Sequence, residues 1–234
     1  MSETPILEVK GLWAGYGQLV VVRDINLSLV RGATTLILGL NGAGKTTTLK
    51  TIAGILPAIR GSIYLEGKDV TRLPAYVRSK MGLVMVTDNP IFSDMTVADN
   101  LKLAASVGGL RDPVPEAIKY FPELSKFLSF KAASLSGGQR KMLAMAMAMV
   151  ARPKVLLLDE PSTGLSPLMV SKVVSYVKLL KSLGITILLA EQNPSFISVA
   201  DYVMVMEMGR EKLFGKAEEI GKLEDVRRTF FQVT

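Results

Sequence analysis

The chain has 234 residues, 49% of them hydrophobic, and its 28 Lys and Arg outnumber its 21 Asp and Glu to give a net charge of +7. That length suits one domain, or a core with an inserted subdomain, and the apolar content is enough for a sizeable core. The sequence contains neither Cys nor His. It therefore excludes disulfides, zinc–thiolate centres, thiol chemistry and any mechanism that needs an imidazole.

No segment of the sequence predicts a membrane span or a secretory signal. Residues 1–5 are polar and include Glu3, and no apolar run reaches the roughly 18 residues that a spanning helix needs. We therefore expect a soluble chain, or one that is peripheral to a membrane. The basic balance fits nucleic acid, an anionic membrane surface, or nucleotide phosphates with a partner protein, and charge alone does not choose. The dispersed Lys and Arg favour diffuse solvated charge.

Hydrophobic periodicity predicts strands and helices in alternation at both ends of the chain and helices in the middle. The elements predicted first are strands at 6–12, 25–29 and 34–38, a helix at 46–53, a hairpin at 62–70 and a strand at 81–86. Those predicted next are a helix at 97–105 capped by Thr96, a Gly- and Pro-rich loop at 106–115, a helix at 116–130, and a helix at 137–151 capped by Ser136. The last are strands at 155–158, 185–190 and 201–206, with helices at 167–183, 194–199 and from 216 onward.

This alternation predicts an α/β fold with a mostly parallel sheet. The helical stretch in the middle predicts a subdomain inserted between two strands of the core. We expect a single domain, with its core at 1–86 and 151–234 and a helical subdomain at about 87–150.

Residues 39–46 read Gly-Leu-Asn-Gly-Ala-Gly-Lys-Thr and fit the phosphate loop G-x-x-x-x-G-K-[ST]. Glycines let consecutive backbone N–H groups converge on an anion, and the following helix adds its positive end. We expect Lys45 to reach the β- and γ-phosphates and the Thr46 hydroxyl to bind Mg²⁺. A chance Gly-rich turn is disfavoured because an apolar strand precedes the motif and a helix follows it. The residues expected to hold the nucleotide here are Gly39, Asn41, Gly42, Ala43, Gly44, Lys45, Thr46 and Thr47.

Two adjacent acids, Asp159 and Glu160, end the apolar strand predicted at 155–158. A carboxylate at such a strand end can bind Mg²⁺ directly or through water, which is the role expected for Asp159. Glu160 should point elsewhere, and we expect it to be the catalytic base that orients and polarises the attacking water. The alternative, two solvated acids at a strand end, is disfavoured by Pro161 and by the motif upstream.

That motif is Leu-Ser-Gly-Gly-Gln at 135–139, and it resembles the signature of the ABC ATPases, the motor subunits of ABC transporters. Taken alone, Ser136 could be an ordinary helix cap. Its hydroxyl, the amides of Gly137 and Gly138 and the helix dipole could also bind an anion, and both roles can hold at once. The resemblance implies that Ser136, Gly137, Gly138 and Gln139 cap the ATP held by a second ATPase subunit.

The resemblance covers nearly the whole chain and implies a RecA-like P-loop NTPase core, an antiparallel β subdomain and an inserted helical subdomain. Size and the local sequences at 41–47, 92–97 and 191–193 look most like the ATPase subunits of branched-chain amino acid importers. In that family the position of Tyr16 holds an aromatic residue that stacks on adenine. The segment 162–167 occupies the position of the D-loop, and Glu191-Gln192-Asn193 occupies the position of the switch.

Several positions depart from the family pattern. The position of the glutamine-loop residue, which binds Mg²⁺ and senses the permease, falls at Thr87, with Asp88 beside it. Gln192 stands where His is usual; its amide can hydrogen-bond a γ-phosphate but carries no titrating proton. Ser166 replaces a common D-loop Asp, and Met147 replaces a common Arg. These changes concern the rate of hydrolysis and coupling between subunits.

The resemblance implies an ATP- and Mg²⁺-dependent ATPase at the cytoplasmic face of a membrane. Its expected partners are a second ATPase subunit, identical or related, integral membrane permease subunits and, indirectly, an external solute-binding protein. The expected activity couples ATP-driven closure to solute import, with amino acids as the cargo. The alternatives are a soluble ABC ATPase acting on nucleic acid or ribosomes, and a weakly hydrolysing regulatory partner of another ATPase subunit. We expect no nucleic-acid partner.

Overall fold

The computed structural model describes residues 5–87 and 90–231. Its strands, in chain order, are β1 (Leu7–Tyr16), β2 (Leu19–Leu29), β3 (Thr34–Leu38), β4 (Arg60–Leu65), β5 (Lys68–Asp69), β6 (Leu83–Val86), β7 (Val155–Asp159), β8 (Thr186–Glu191), β9 (Tyr202–Glu207) and β10 (Arg210–Lys216). Its α-helices are α1 (Lys45–Ala53), α2 (Ala75–Lys80), α3 (Val97–Gly108), α4 (Pro113–Tyr120), α5 (Gly137–Val150), α6 (Pro167–Ser182), α7 (Ala217–Ile220) and α8 (Glu224–Phe231). Short 3₁₀ helices occupy Pro122–Phe127, Ala132–Ser134 and Pro194–Val199.

The described strands form two sheets. The larger has the order β10-β9-β3-β8-β7-β6; its strands from β9 to β6 are parallel, and β10 pairs antiparallel with β9. The smaller has the order β2-β1-β4-β5 and is antiparallel throughout. The expected α/β fold, with a mostly parallel sheet and a separate antiparallel sheet, is therefore confirmed.

Both faces of the parallel sheet are covered by apolar side chains. Successive residues of a strand point to opposite faces, so Leu36 and Leu38 belong to one buried cluster while Ile37 belongs to the other. The first cluster contains residues of α3, α5 and α6, and the second joins α1 to the antiparallel sheet. This double coverage explains why the central strands read as continuous apolar runs.

Helices α3, α4 and α5 lie in the chain between β6 and β7, which are neighbours in the sheet. This is the arrangement expected of a helical insertion between two core strands, although the division at about residues 87 and 150 stays a prediction. The methionines of α5 are all buried, as a core helix requires. No helix among residues 5–87 and 90–231 is both long and apolar enough to cross a bilayer.

The predictions for residues 106–130 were partly wrong. Helix α3 continues to Gly108, and α4 begins at Pro113 inside the expected loop, because proline fits the first position of a helix, where no N–H partner is needed. The helix expected at 116–130 ends at Tyr120, and a 3₁₀ helix starts at Pro122. Proline lacks the N–H that would continue the ladder.

Strand β10, helix α2 and the 3₁₀ helix Ala132–Ser134 were missed, and two strands are longer than expected. Strand β10 is an edge strand with mostly exposed or half-exposed residues, so it lacks an apolar signal. Helix α2 is six residues long and too short for periodicity to reveal. Strands β1 and β2 run to the ends of their hairpin, between Tyr16 and Leu19.

Candidate active site

The phosphate loop, the pair Asp159–Glu160 and the switch segment come together at the carboxyl ends of three adjacent parallel strands. Strand β8 lies between β3 and β7, with Leu38 paired to Glu191 and Asp159 paired to Ala190. The loop that follows each strand carries one of the sequence motifs. Ligands of parallel α/β sheets bind outside this edge of the sheet.

The loop between β3 and α1 is held in a compact turn. The Ala43 N–H donates to the Leu40 carbonyl at 3.1 Å, and the Gly39 N–H donates to the Glu191 carbonyl at 3.2 Å. Gly44 has a φ of 100°, and a Cβ added there would lie 3.0 Å from the Met206 Cε. Glycine at this position therefore lets the backbone turn into α1 against the end of β9.

Lys45 places its ammonium group inside this turn. The residue is 3% exposed, and its Nζ donates to the carbonyls of Gly39 at 2.9 Å and Leu40 at 3.1 Å. The same Nζ lies 3.0 Å from Glu160 Oε1. The loop thus holds a buried positive charge with a carboxylate beside it.

Asp159, the last residue of β7, and Glu160, which follows it, contact successive residues of α1. Asp159, 8% exposed, accepts a hydrogen bond from the Thr46 hydroxyl at 2.9 Å, while Glu160 pairs with Lys45. The backbone at Glu160 has a φ of 44°, and its N–H donates to the Ala190 carbonyl at 2.9 Å. This left-handed turn directs the neighbouring carboxylates to different partners, as their expected roles require.

Thr87, half-buried, directly follows β6, the strand next to β7. Val86 pairs with Leu158, so the chain reaches Thr87 at the level where β7 reaches Asp159. The oxygens of Thr46, Asp159 and Thr87 are thus carried to the same edge of the sheet. Asp88, the alternative candidate beside Thr87, lies outside the described residues.

Tyr16 ends β1 at the tip of the first hairpin, where it pairs with Leu19 and is 47% exposed. The hairpin is tied to the phosphate loop through the turn between β9 and β10. The Arg23 N–H donates to the Gly209 carbonyl, and the Gly209 N–H donates to the Ala43 carbonyl. An exposed ring at this tip is free to stack on a flat ligand.

The Leu-Ser-Gly-Gly-Gln motif begins helix α5 and forms a capping box. The Gln139 N–H donates to the Ser136 hydroxyl at 3.3 Å, and the Ser136 N–H donates to Gln139 Oε1 at 2.8 Å. The expected cap is confirmed. Ser136 and Gly137 are exposed, and α5 packs on α3, α4 and α6. Ser136 and Gly137 therefore face solvent at the start of this helix, while Leu135 is buried.

The expected switch residue, Gln192, is exposed in the turn after β8. The residue before it, Glu191, was expected only as part of the switch segment. It is buried, with 2% of its surface exposed. Its carboxylate accepts hydrogen bonds from the N–H groups of Ser162 at 2.8 Å, Gln192 at 3.2 Å and Asn193 at 3.4 Å. Burial raises the pKa of Glu191, although these hydrogen bonds oppose that shift. The sequence did carry a signal for Glu191, because it is an acid at the end of an apolar strand. The same pattern singled out Asp159.

Comparisons with known proteins agree with this geometry. The sequence profile of the ABC transporter family matches residues 22–163. The probable branched-chain amino acid transport ATP-binding protein LivF of Archaeoglobus fulgidus is 38% identical over 92% of this chain and 94% of its own. The lipopolysaccharide export system ATP-binding protein LptB of Acidithiobacillus ferridurans is 31% identical over 98% of this chain and 97% of its own.

A solved structure agrees as well. The ATP-binding cassette MJ1267 of an ABC transporter superimposes with a TM-score of 0.85, at 28% identity, over 97% of this chain and 98% of its own. The phosphate loop, the acids that contact α1 and the capped signature thus occur in a sequence and a fold that match one family. The chain belongs to the ABC transporter family and is one of its ATP-binding ATPase subunits.

Proposed function

We propose that this chain is the ATP-hydrolysing motor of an amino acid importer, working against a second ATPase subunit at the cytoplasmic face of a membrane. The observation that carries the proposal is the contact pair Lys45–Glu160 and Thr46–Asp159 at the mouth of the phosphate loop. The similarity to LivF supports amino acids as the cargo. We take 1–86 and 151–234 as the core and about 87–150 as the helical subdomain.

The loop is suited to a triphosphate because it places a buried ammonium group at the start of a helix. The N-terminus of α1 adds its positive end to the Lys45 ammonium, which is held by carbonyls of the same turn. Tyr16 offers an exposed ring for the adenine. The phosphate contacts are assigned to Gly39, Asn41, Gly42, Ala43, Gly44, Lys45, Thr46 and Thr47.

The oxygens near the loop fit Mg²⁺. Thr46 and Asp159 already share a hydrogen bond, so a hydroxyl and a carboxylate oxygen lie side by side, and Thr87 follows the neighbouring strand end. Hard oxygen donors of this kind, completed by phosphate and water, are the set that Mg²⁺ prefers. When bound, the ion would be held by Thr46, Asp159 and Thr87 and would supply positive charge that offsets the negative charge developing as the phosphate transfers.

Glu160 is assigned as the base because of the two side chains that its carboxylate contacts. Its carboxylate is paired with Lys45 and accepts a hydrogen bond from the Thr163 hydroxyl at 3.2 Å. When the ATP phosphates enter the loop, Lys45 turns to them and releases Glu160. The freed carboxylate accepts a hydrogen bond from water and orients it toward the γ-phosphorus, while Gln192 donates to a γ-phosphate oxygen.

The signature is assigned to the partner's nucleotide. Ser136, Gly137 and the start of α5 offer exposed donors that their own capping box does not cover. Two such subunits facing each other complete two sites, and the closure drives permease subunits in the membrane. An external binding protein supplies the solute to that permease.

The decisive experiment reconstitutes the chain with the membrane proteins that co-purify with it in proteoliposomes. ATP-driven uptake of branched-chain amino acids supports the proposal. ATP hydrolysis without uptake of any amino acid contradicts the cargo but not the ATPase.

An exporter is the second candidate, because LptB is 31% identical over nearly the whole chain. Inverted vesicles separate the two directions, since an importer then releases solute from the lumen and an exporter accumulates it.

Salt-dependent binding to DNA or RNA would instead support a role on nucleic acid.

A further inference from the structure

Glu191 is a buried carboxylate to which the proposed hydrolysis assigns no contact with substrate. It ends β8, whose other residues are buried and mostly apolar. An apolar side chain would fill this position without the cost of burying a charge. A carboxylate here therefore calls for partners that offset its desolvation, and the surrounding loops provide them.

Those partners are backbone N–H groups of two different loops. Oε1 accepts from Ser162, in the loop that follows Glu160. Oε2 accepts from Gln192 and Asn193, in the turn that carries the switch residue. The side chain thus connects the two loops directly, through hydrogen bonds that its two carboxyl oxygens accept.

The backbone around Glu191 extends the same connection. Its carbonyl accepts from the Gly39 N–H at the start of the phosphate loop, and the Ala190 carbonyl accepts from the Glu160 N–H. The last two residues of β8 therefore hold all three loops of the site. All three loops are thus anchored to the same buried strand end.

We infer that Glu191 is a positioning residue whose carboxylate fixes the loop after Glu160 and the switch turn relative to each other. In this arrangement Glu160 and Gln192 approach the γ-phosphate from loops that move together. The inference rests on the proposed function for its kinetic consequence, but its structural consequence can be measured without turnover.

The matched control is Asp201, a carboxylate at the other end of the sheet. Its Oδ2 accepts from the Thr34 N–H at 2.8 Å, and its Oδ1 pairs with Lys181 at 2.7 Å. Asp201 thus also links a strand to neighbouring structure, at the amino end of β3. Asp201→Asn therefore measures the effect of weakening a carboxylate link that does not involve the nucleotide loops.

The experiment compares Glu191→Leu and Glu191→Gln with Asp201→Asn in the full chain. Hydrogen exchange of the nucleotide-free protein is followed in peptides covering 160–166 and 191–195. We expect faster exchange in both peptides for Glu191→Leu and in neither for Asp201→Asn. Faster exchange in one loop only, or in neither, overturns the inference whether or not the chain hydrolyses ATP.

Kinetics provide the second readout. We expect Glu191→Leu to lower kcat by at least about tenfold, a loss of about 1.4 kcal/mol of transition-state stabilisation, while the affinity for ATP changes by less than about twofold. Glu191→Gln keeps the side-chain volume and one acceptor oxygen, so we expect it to show an intermediate loss of kcat. This variant tests the inference if Glu191→Leu does not fold. An unchanged kcat in Glu191→Gln, or an equal loss in Asp201→Asn, contradicts the inference. An inactive parent protein contradicts the proposed function instead.

Discussion

Lys45 Nζ lies 3.0 Å from Glu160 Oε1, so the lysine of the phosphate loop and the acid after β7 form an ion pair across the site. The lysine side chain is 2% exposed and the glutamate side chain is 27% exposed. In the proposed mechanism, each group leaves the other when ATP binds. Under that proposal, the pair couples entry of the phosphates to release of the base.

Lys45→Met should weaken ATP binding by at least about tenfold, because the phosphates lose a buried cation. Fluorescence titration with a labelled ATP measures the effect. Lys181→Met is the control, since Lys181 also pairs with a carboxylate, Asp201, at 2.7 Å. ATP affinity equal in the parent and Lys45→Met would contradict the assignment of the loop.

Asp159→Asn should lower Mg²⁺-dependent hydrolysis by about a hundredfold, because the amide lacks the charge that holds the ion. Nucleotide binding in EDTA should be unchanged, because the amide keeps a hydrogen bond to Thr46. Asp99→Asn is the control, as Asp99 Oδ2 accepts from the Thr96 hydroxyl at 2.6 Å in a similar Thr–Asp pair. A Mg²⁺ titration of the ATPase rate measures both. If Asp159→Asn responded to Mg²⁺ as the parent does, the metal assignment would be wrong.

Two substitutions of Ser136 should separate its role as a helix cap from its role in hydrolysis. Ser136→Ala loses the cap and should cost about 1 kcal/mol of unfolding free energy, whereas Ser136→Asn keeps a good cap. Both should lower hydrolysis, because neither presents the hydroxyl. Thr96→Ala, which removes the cap of α3, is the control for stability alone. Full activity in Ser136→Asn would show that capping is the whole role of this serine.

Arg78 should be the most sensitive basic residue for stability outside the site. It is 1% exposed and donates to the carbonyls of Thr51 and Ile52, at the end of α1, and of Thr71 and Leu73, between β5 and α2. Burial lowers its pKa to about 10. Arg78→Met removes the guanidinium that donates these four hydrogen bonds and should cost about 3 kcal/mol or more in denaturant unfolding.

The control for Arg78 is Arg152→Met, which removes an exposed ion pair with Glu116 at 2.9 Å. Exposed pairs contribute about 1 kcal/mol or less. If the two methionine variants lost equal stability, the backbone carbonyls would not depend on Arg78 as described.

The sequence predicted those parts of the fold that bury apolar faces. Strand β3 agrees with its prediction at both ends, since it is buried along its whole length and flanked by turn residues. Strand β10 and helix α2 were missed, because their signals depend on pairing with β9 and on the buried contacts of Arg78. Local periodicity carries neither kind of information.

The site was predictable where one motif carries the chemistry. Strand ends and glycines in the sequence singled out residues 39–46, Asp159 and Glu160, and the structure brings these residues into contact. Glu191 was missed as an anchor, since its partners lie in two loops and one of them, Ser162, is 29 residues away. Which carboxylate contacts Lys45 and which contacts Thr46 also required the fold.

The most direct test of the account is the rate of ATP hydrolysis by the parent and by Glu160→Gln, with Mg²⁺ at saturation. Glu116→Gln is the matched control, an acid of similar exposure in an ion pair of similar length. We expect Glu160→Gln to hydrolyse at least about a hundredfold more slowly than the parent while binding ATP as tightly, and Glu116→Gln to match the parent. Hydrolysis by Glu160→Gln at the parent's rate would contradict the account.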